Sequence, residues 1–374
     1  MPAHSRAGQL RKIVTDERFL GVSLTTTAIF ALAGKTMFAA MANPLLLALI
    51  FIWLFAVVLG SALAVVRHAD RIAEILGEPY GTLVLTLSVT TIEVLSISAV
   101  MLHGANNPTL VRDTLFAIIM IILGGMVGLS LIAGGWRHRE QHYNLQGANA
   151  YLGVIIPMAA LPLTLPNFTT TTPGPTLSGP QEMFIVLMSV GLYAAFLSIQ
   201  TGRHRGYFSS EEDAEAHAAV PLGAGPLVWH TILLFAYILP VVFLAEQLAH
   251  PIDFLIETLG VPTALGGVVI AMLVATPEAI GATRAAMANR LQRSINISLG
   301  SVLSTIGLTV PIMLAVSYVT GHEVHLGLTN ANTLLLAVIL TVSIVTFASG
   351  RTNILQGAVH LVLFAAFLML IFQA

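Results

Sequence analysis

The stretches 81-GTLVLTLSVTTIEVLS-96 and 266-GGVVIAMLVATPEAIG-281 decide the fold, because they align without a gap although they lie in different halves of the chain. Each lies in an apolar region long enough to cross a bilayer, and each carries one glutamate, Glu93 or Glu278. A charge at the middle of a membrane span costs about 2.5 to 3.5 kcal/mol on insertion scales and by default marks an ion or proton pathway. We therefore predict a membrane protein with internal repeats and a functional site at two glutamates.

The composition assigns the whole chain to the membrane class. Of 374 residues, 56% are hydrophobic and 9% are charged, and the mean hydropathy is +0.87. Soluble domains carry about 25% charged residues. The absence of cysteine excludes disulfides and thiolate metal sites. The net charge of -2, with scattered basic residues, excludes a nucleic-acid surface, so the lipid bilayer is the expected surrounding.

The fold class predicted from hydropathy is an all-α polytopic membrane protein. A membrane-spanning helix needs about 17 to 25 mostly apolar residues. The N-terminus has no small-residue cleavage site, so we expect the first helix to be retained. Eleven spans are predicted, at residues 19–36, 44–66, 79–102, 114–134, 151–166, 182–200, 228–248, 262–286, 295–319, 332–349 and 353–372.

The distribution of basic residues predicts the orientation. If the N-terminus is cytoplasmic, 14 Lys and Arg residues fall in inner segments, whereas only Lys35 and Arg112 fall in outer ones. Cytoplasmic loops carry the excess of basic residues in membrane proteins. We therefore expect a cytoplasmic N-terminus and a C-terminus on the opposite side.

A shift of 185 residues places Glu93 on Glu278 and relates the second, fifth and sixth spans to the seventh, tenth and eleventh. The fourth span falls on the ninth within a few residues. Because five spans are an odd number, the two halves enter the membrane from opposite sides, an arrangement typical of secondary transporters. The predicted units are a tail and extra helix (1–43), a first repeat of helices 2–6 (44–202), a polar cytoplasmic linker (203–227) and a second repeat of helices 7–11 (228–374).

Oxygen-bearing side chains accompany the glutamates. Thr86 and Thr90 share one helix face with Glu93, and Pro277, directly before Glu278, frees a backbone carbonyl. Hard cations prefer such oxygen ligands, and Ca²⁺ takes about 6 to 8 of them. A neutral, hydrogen-bonded structural glutamate is the alternative for either residue alone. We predict that Glu93 and Glu278 bind Ca²⁺ and protons, supported by Thr86, Thr90, Thr276, Asn296, Ser301 and Ser304.

Two neighbouring carboxylates in a low-dielectric site cannot both stay charged without compensation, so a cation or protons must discharge them. If the empty, doubly negative site cannot change its exposure, transport requires cargo in both directions. Cation/proton antiport is therefore the hypothesis. The alternatives are proton-independent sodium/calcium exchange, a passive cation channel, or an intramembrane enzyme. No paired catalytic motif lies within the spans, so we expect no enzyme and no cofactor beyond the transported ions.

Two further residues are candidates for proton relay or gating. His360 lies within the eleventh span and either relays protons or is a hydrogen-bonded structural histidine. Glu78, with Asp70 and Glu74, recurs every fourth residue at the inner end of the third span. These carboxylates form either a salt-bridged, solvated face or an acidic vestibule that gathers cations.

Four strings resemble those of the ChaA-type calcium/sodium:proton antiporters, in the CAX branch of the cation/calcium exchanger superfamily. They are VVRHADRIAEILGEPYGTLVLTLSVTTIEV (65–94), TPEAIGA (276–282), LGSVLSTIGLTVP (299–311) and SGRTNILQGAVHLVLFAAFLML (349–370). The resemblance implies eleven helices, two repeats of five, and proton-driven export of cytoplasmic cations across a bacterial inner membrane, with the C-terminus periplasmic. It also implies that Glu93 and Glu278 carry the ions.

Two departures from the family pattern limit what the resemblance implies. The first motif reads TTIE where the second reads TPE, so a proline-freed carbonyl is expected only in the second half. The central linker holds only a short acidic run, Glu211 to Glu215, which leaves a regulatory calcium site open. Ion preference among Ca²⁺, Na⁺ and K⁺, stoichiometry and a homo-oligomeric state are also left open.

Overall fold

The computed structural model describes residues 17–76, 80–103, 107–208 and 224–373, and within them it forms an all-helical bundle. The eleven helices of these ranges confirm the predicted fold class. They are α1 (Arg18–Ala39), α2 (Pro44–Leu76), α3 (Tyr80–His103), α4 (Leu110–His138), α5 (Leu145–Asn167), α6 (Gly179–Thr201), α7 (Ala224–Glu257), α8 (Ala264–Met287), α9 (Leu291–Thr320), α10 (Asn330–Thr346) and α11 (Ile354–Gln373).

The helices follow from the apolar sequence, because backbone groups inside a bilayer must form their hydrogen bonds within the chain. Polar residues mark the helix ends. The Asn144 side chain accepts hydrogen bonds from backbone N–H groups at the start of α5, and Ser178 and Gln181 form a capping box on α6. Gly321, with φ of 74°, ends α9 in the left-handed conformation that glycine adopts readily.

The helices α2 and α7 are longer than predicted, at 33 and 34 residues. The predicted spans were limited to apolar residues, whereas α2 continues as a helix through the polar segment that follows residue 66 and ends at Leu76. No proline or glycine interrupts that segment, so the helical backbone persists beyond the apolar part. The extension of α2 carries His68, whose ring lies beside His230 at the predicted inner end of α7.

Contacts between loops agree with the predicted alternation of inner and outer ends. A short antiparallel pair, β1 (Gln141–His142) with β2 (Arg351–Thr352), joins two loops predicted to be inner. The side chain of Asn167 donates to the carbonyl of Leu328, and both lie in segments predicted to be outer. The loops thus group as the predicted topology requires.

Buried apolar side chains form two separate cores. One, called here the lateral bundle, consists of α1, α2 and α7; the other, the main bundle, is built mainly from α4–α6 and α9–α11. The helices α3 and α8 contribute to both cores. Ile92 packs in the lateral core and Val94 in the main core, so Glu93 lies where the two cores meet.

Two π-helical segments interrupt the long helices α4 and α9. They cover Met120–Met126 and Thr305–Thr309. The wider π turn changes the direction of side chains and is found frequently at functional sites. Met120 and Thr305 are separated by the same 185 residues as Glu93 and Glu278. This shared spacing supports the predicted repeat.

Gly128 of α4 and Gly357 of α11 allow two backbones to touch. A Cβ atom on Gly128 would lie 2.9 Å from the carbonyl oxygen of Gly357, and the reverse distance is 2.8 Å. We expect Gly128→Ala to lower the free energy of unfolding by about 1 to 3 kcal/mol, because the added Cβ atom forces one of two packed backbones to shift. Thermal unfolding in detergent measures this, with Gly153→Ala as the control, since a Cβ there meets nothing within 4 Å. Equal melting temperatures for the two variants would contradict the expectation.

Candidate ion-binding site

Glu93 lies deep in the protein, with only 1% of its surface exposed. Its carboxylate accepts two hydrogen bonds from α9. The hydroxyl of Thr305 donates to Oε2 at 2.7 Å, and the hydroxyl of Thr309 donates to Oε1 at 2.9 Å. These threonines are the first and last residues of the π segment. A glutamate of the first half is therefore held by hydroxyl groups of the second half.

Glu278 is half-buried on α8, and its Oε2 accepts a hydrogen bond from the hydroxyl of Ser301 on α9. The carboxyl groups of Glu278 and Glu93 are close enough to interact electrostatically. The helix α9 thus contacts both glutamates, with Ser301 on one and the two threonines on the other. Two carboxylates and three hydroxyl oxygens form one group of potential cation ligands.

The site is not symmetric, although the sequence repeats are. At the shift of 185 residues, Thr305 corresponds to Met120 and Thr309 to Gly124. The π segment of α4 therefore presents no hydroxyl group at these two positions. Since hydroxyl donors stabilise a carboxylate, the two halves provide different surroundings for their partner glutamates.

The two predicted threonines of α3 differ in their contacts. The hydroxyl of Thr90 is buried and has no hydrogen-bond partner within the described residues. Burying a hydroxyl without a hydrogen-bond partner costs free energy. Binding of an ion to this oxygen would offset that cost. Thr86 was expected beside Glu93, but its side chain hydrogen-bonds Tyr193 of α6. The Thr86 hydroxyl thus contacts a neighbouring helix rather than Glu93.

Thr276 and Ser304 were also predicted to support the ion, but they bond backbone carbonyls of their own helices. Thr276 donates to the carbonyl of Met272, and Ser304 donates to the carbonyl of Ser301 at 3.0 Å. Short hydroxyl side chains commonly bond the preceding helical turn in this way. In this conformation neither hydroxyl donates to a glutamate.

Asn296 was predicted at the site and instead bonds the segment that precedes the central linker. Its side chain donates to the carbonyl of Phe208 and accepts from Gln292 at 2.9 Å. The ring of Phe208 packs against Tyr151 and Phe196, each with ring centroids 5.4 Å away. Asn296 lies more than one turn from Ser301 along α9, too far along the helix to share its contact with Glu278.

His360 is fully buried, and both of its ring nitrogens have partners. Nδ1 lies 2.6 Å from the carbonyl oxygen of Leu123 in the π segment of α4, and Nε2 lies 2.9 Å from the Thr346 hydroxyl. A neutral ring with its proton on Nδ1 satisfies both contacts. This geometry favours the hydrogen-bonded structural histidine over the proton relay.

The acidic face was predicted at the inner end of the third span, but Asp70 and Glu74 lie on α2, which continues to Leu76. Glu74 pairs with Arg71 at 2.8 Å on the exposed inner end of the helix, as the salt-bridged interpretation expects. Glu78 lies outside the described residues, and so do Glu211 to Glu215. Within the described residues, no group of three or more acidic or histidine side chains is arranged to hold a metal ion. A cation between the glutamates would therefore need hydroxyl and backbone oxygens as well.

Sequence reasoning missed Thr305 and Thr309. Both lie in the string STIGLT, where they are four positions apart. That spacing puts them on one helix face and was the available signal. Their contact with Glu93 depends on packing across 212 and 216 residues of chain.

The chain is similar to known proteins over most of its length. A family profile described as sodium/calcium exchanger protein matches residues 46–202 and 229–373. The sodium-potassium/proton antiporter ChaA of Escherichia coli (strain K12) is 40% identical over 320 residues, which is 84% of this chain and 86% of the relative. The Ca²⁺/H⁺ antiporter ChaA of Bacillus subtilis (strain 168) is 24% identical over 259 residues, 66% of this chain and 73% of the relative.

Solved structures share the fold. The structure of native YfkE superimposes with a TM-score of 0.73 at 20% identity, covering 95% of this chain and 99% of YfkE. The crystal structure of an H⁺/Ca²⁺ exchanger, CAX, gives a TM-score of 0.63 at 14% identity, covering 95% of this chain and 88% of the other. At these identities the comparison establishes the architecture.

Proposed function

Because the chain belongs to the sodium/calcium exchanger protein family, we propose that it is a secondary active antiporter that exports Ca²⁺, or Na⁺ or K⁺, from the cytoplasm in exchange for protons. The observation that carries the proposal is the meeting of Glu93 and Glu278 inside the bundle, each bonded to α9. Such a pair is discharged either by a cation or by protons. Exchange of one for the other is the simplest cycle that these groups support.

Proton coupling is favoured over proton-independent sodium/calcium exchange by the named relatives. Both the Escherichia coli and the Bacillus subtilis proteins are named as proton antiporters, although their cations differ. The chemistry of the site agrees, since carboxylates and hydroxyls are hard oxygen ligands suited to Ca²⁺ and to alkali cations. Ca²⁺ is the proposed cargo because two carboxylates match its charge.

In the proposed cycle, Glu93 and Glu278 bind the cation in their charged forms and release it when protons arrive. The hydroxyls of Thr305, Thr309 and Ser301 turn their oxygens toward the ion, and the unpartnered hydroxyl of Thr90 adds a further ligand. With the cation gone, the same hydroxyls again donate to the carboxyl oxygens. Each residue then has a hydrogen-bonding role in both halves of the cycle.

Alternating access is proposed to occur between the lateral bundle and the main bundle. The glutamate-bearing helices α3 and α8 contribute to both cores, so movement of one bundle against the other would change which side reaches the site. The contact of Asn296 with Phe208 and its aromatic neighbours would block the inner mouth in this conformation. Opening to the cytoplasm would require that cluster to separate.

The proposed setting is the bacterial inner membrane, with a cytoplasmic N-terminus and a periplasmic C-terminus. The domain division stays as predicted, with repeats at 44–202 and 228–374 joined by the cytoplasmic linker 203–227. The spacing of the two π segments supports this division. The basic residues of the inner segments support the orientation.

Flux measurements test the function. In proteoliposomes an imposed pH gradient is expected to drive Ca²⁺ uptake against its own gradient, and added Ca²⁺ is expected to collapse the pH gradient. Separate flux measurements with Na⁺ and with K⁺ compare their transport rates with that of Ca²⁺. A cation channel would conduct without coupling to protons, and a sodium/calcium exchanger would need Na⁺ and ignore the pH gradient; either result would overturn the proposal.

A further inference from the structure

A second group of titratable side chains lies far from the two glutamates, at the inner end of the lateral bundle. His68 of α2 is 2% exposed, and its Nδ1 lies 3.0 Å from Nδ1 of His230 on α7. Its Nε2 lies 3.3 Å from Oε2 of Glu17, the residue before α1. The same carboxylate accepts a hydrogen bond from the hydroxyl of Tyr237 on α7 at 2.9 Å. This cluster therefore ties together α1, α2 and α7.

The contact between His68 and His230 restricts their protons. A hydrogen bond between two Nδ1 atoms needs one protonated nitrogen and one lone pair. With a proton on both, two N–H groups and two positive charges would face each other at 3.0 Å, where like charges repel strongly. The bond is therefore compatible with at most one positive charge on the pair.

The surrounding charges make the pair sensitive to a further proton. Arg67 donates a hydrogen bond to Glu17 at 2.8 Å and so neutralises much of the negative charge beside His68. On the side of His230, Arg71 is paired with Glu74 at 2.8 Å. Asp70, which also faces Arg71, interacts with Arg293. Among the residues that the structure describes here, the arginine and carboxylate charges therefore balance and Tyr237 is neutral, so a second imidazolium charge has no counter-ion of its own.

We propose that His68 and His230 form an acid-operated latch that holds the cytoplasmic ends of α2 and α7 together and releases them when the cytoplasm acidifies. Histidine ordinarily titrates near about pH 6.5, and burial disfavours its charged form, so release is expected when the cytoplasm falls below that pH. Release disorganises the lateral bundle and slows exchange. This regulation rests on the proposed antiport, in which each turnover brings protons into the cytoplasm, and it limits that acid load.

Inside-out membrane vesicles test the regulation, because they expose the cytoplasmic face to the buffer. At a fixed pH difference across the membrane, we expect the transport rate to fall about tenfold per pH unit below the transition. The reason is that the fraction of protein without the extra proton falls about tenfold per pH unit. In His230→Gln the side-chain amide can donate to Nδ1 of neutral His68 and accept from protonated His68, so this variant is expected to keep the rate at pH 7.5 and lose the acid inhibition. His142→Gln, a change at an exposed loop histidine, is expected to keep the wild-type profile. Identical acid profiles for wild type and His230→Gln would overturn the proposal.

A distance measurement tests the latch without transport. The chain has no cysteine, so Leu76→Cys and Val228→Cys, which are exposed at the inner ends of α2 and α7, can carry one pair of spin labels in the otherwise wild-type protein. We expect the label distance to increase between pH 7.5 and pH 5.5, and to stay constant when His230→Gln is added. A distance independent of pH in the wild-type background would overturn the latch even if antiport is established. If the distance changes while no proton-coupled flux is found, the antiport proposal fails and the latch stands.

Discussion

Glu93→Gln and Glu278→Gln are each expected to reduce proton-driven cation flux by about 100-fold or more. Either change removes one of the two carboxylates inside the bundle that must bind both cargo ions, and loss of one member of a buried charged group costs about 3 to 5 kcal/mol. At about 1.4 kcal/mol per tenfold change, this is at least a 100-fold effect. Ca²⁺-dependent collapse of a pH gradient in proteoliposomes measures it.

Glutamine keeps the shape of glutamate, so both variants are expected to fold. The amide oxygen of glutamine can still accept one of the two threonine hydroxyls that Glu93 accepts. Glu323→Gln is the matched control, because it makes the same change at an exposed position of the predicted outer loop. Substantial proton-coupled flux in either site variant, at expression equal to the control, would remove these glutamates from the proposed mechanism.

Thr305→Val and Thr309→Val are each expected to raise the Ca²⁺ concentration for half-maximal flux about tenfold, and the double variant about 100-fold. Valine has nearly the shape of threonine but lacks the hydroxyl, so each change removes one hydrogen bond to Glu93 at 2.7 or 2.9 Å. Hydrogen bonds to charged groups contribute about 1.5 to 3 kcal/mol. The ion also loses an oxygen ligand in each case.

Two controls separate the hydroxyl from the packing. Thr305→Ser keeps the hydroxyl and its hydrogen bond and is expected to stay within about fivefold of wild type, which corresponds to about 1 kcal/mol. Thr341→Val makes the same substitution on α10, where the hydroxyl bonds only the carbonyl of Ala337 in its own helix. If Thr305→Val and Thr341→Val have the same half-maximal concentration, the π segment of α9 has no role in ion binding.

The membrane fold could be predicted almost completely from the sequence, because span length, apolar content and the placement of basic residues reflect simple requirements of the bilayer. The two glutamates could be identified for the same reason, since a charge within a span is rare and costly. The polar extension of α2 was underestimated because hydropathy marks the membrane and not the end of a helix. These properties depend on residues that are near one another in the chain.

The rest of the site depends on contacts between distant helices. Thr86 was expected beside Glu93, but its side chain hydrogen-bonds Tyr193. Thr305 and Thr309 reach Glu93 from a π segment, and no rule of helical periodicity predicts where the wider turn begins. Positions within one helix can be counted from the sequence, whereas the choice of partner among neighbouring helices requires the packed structure.

The hydrogen bonds of Glu93 have a consequence for how the protein is made. Thr305 follows Glu93 by 212 residues, and ribosomes add about 5 to 20 residues per second. For about 10 to 40 s during synthesis, the nascent α3 therefore exists before the hydroxyls that will bond its carboxyl group. In that interval Glu93 must enter the membrane as a neutral acid or stay sheltered in the insertion machinery, so the burial of this residue is completed only late in biogenesis.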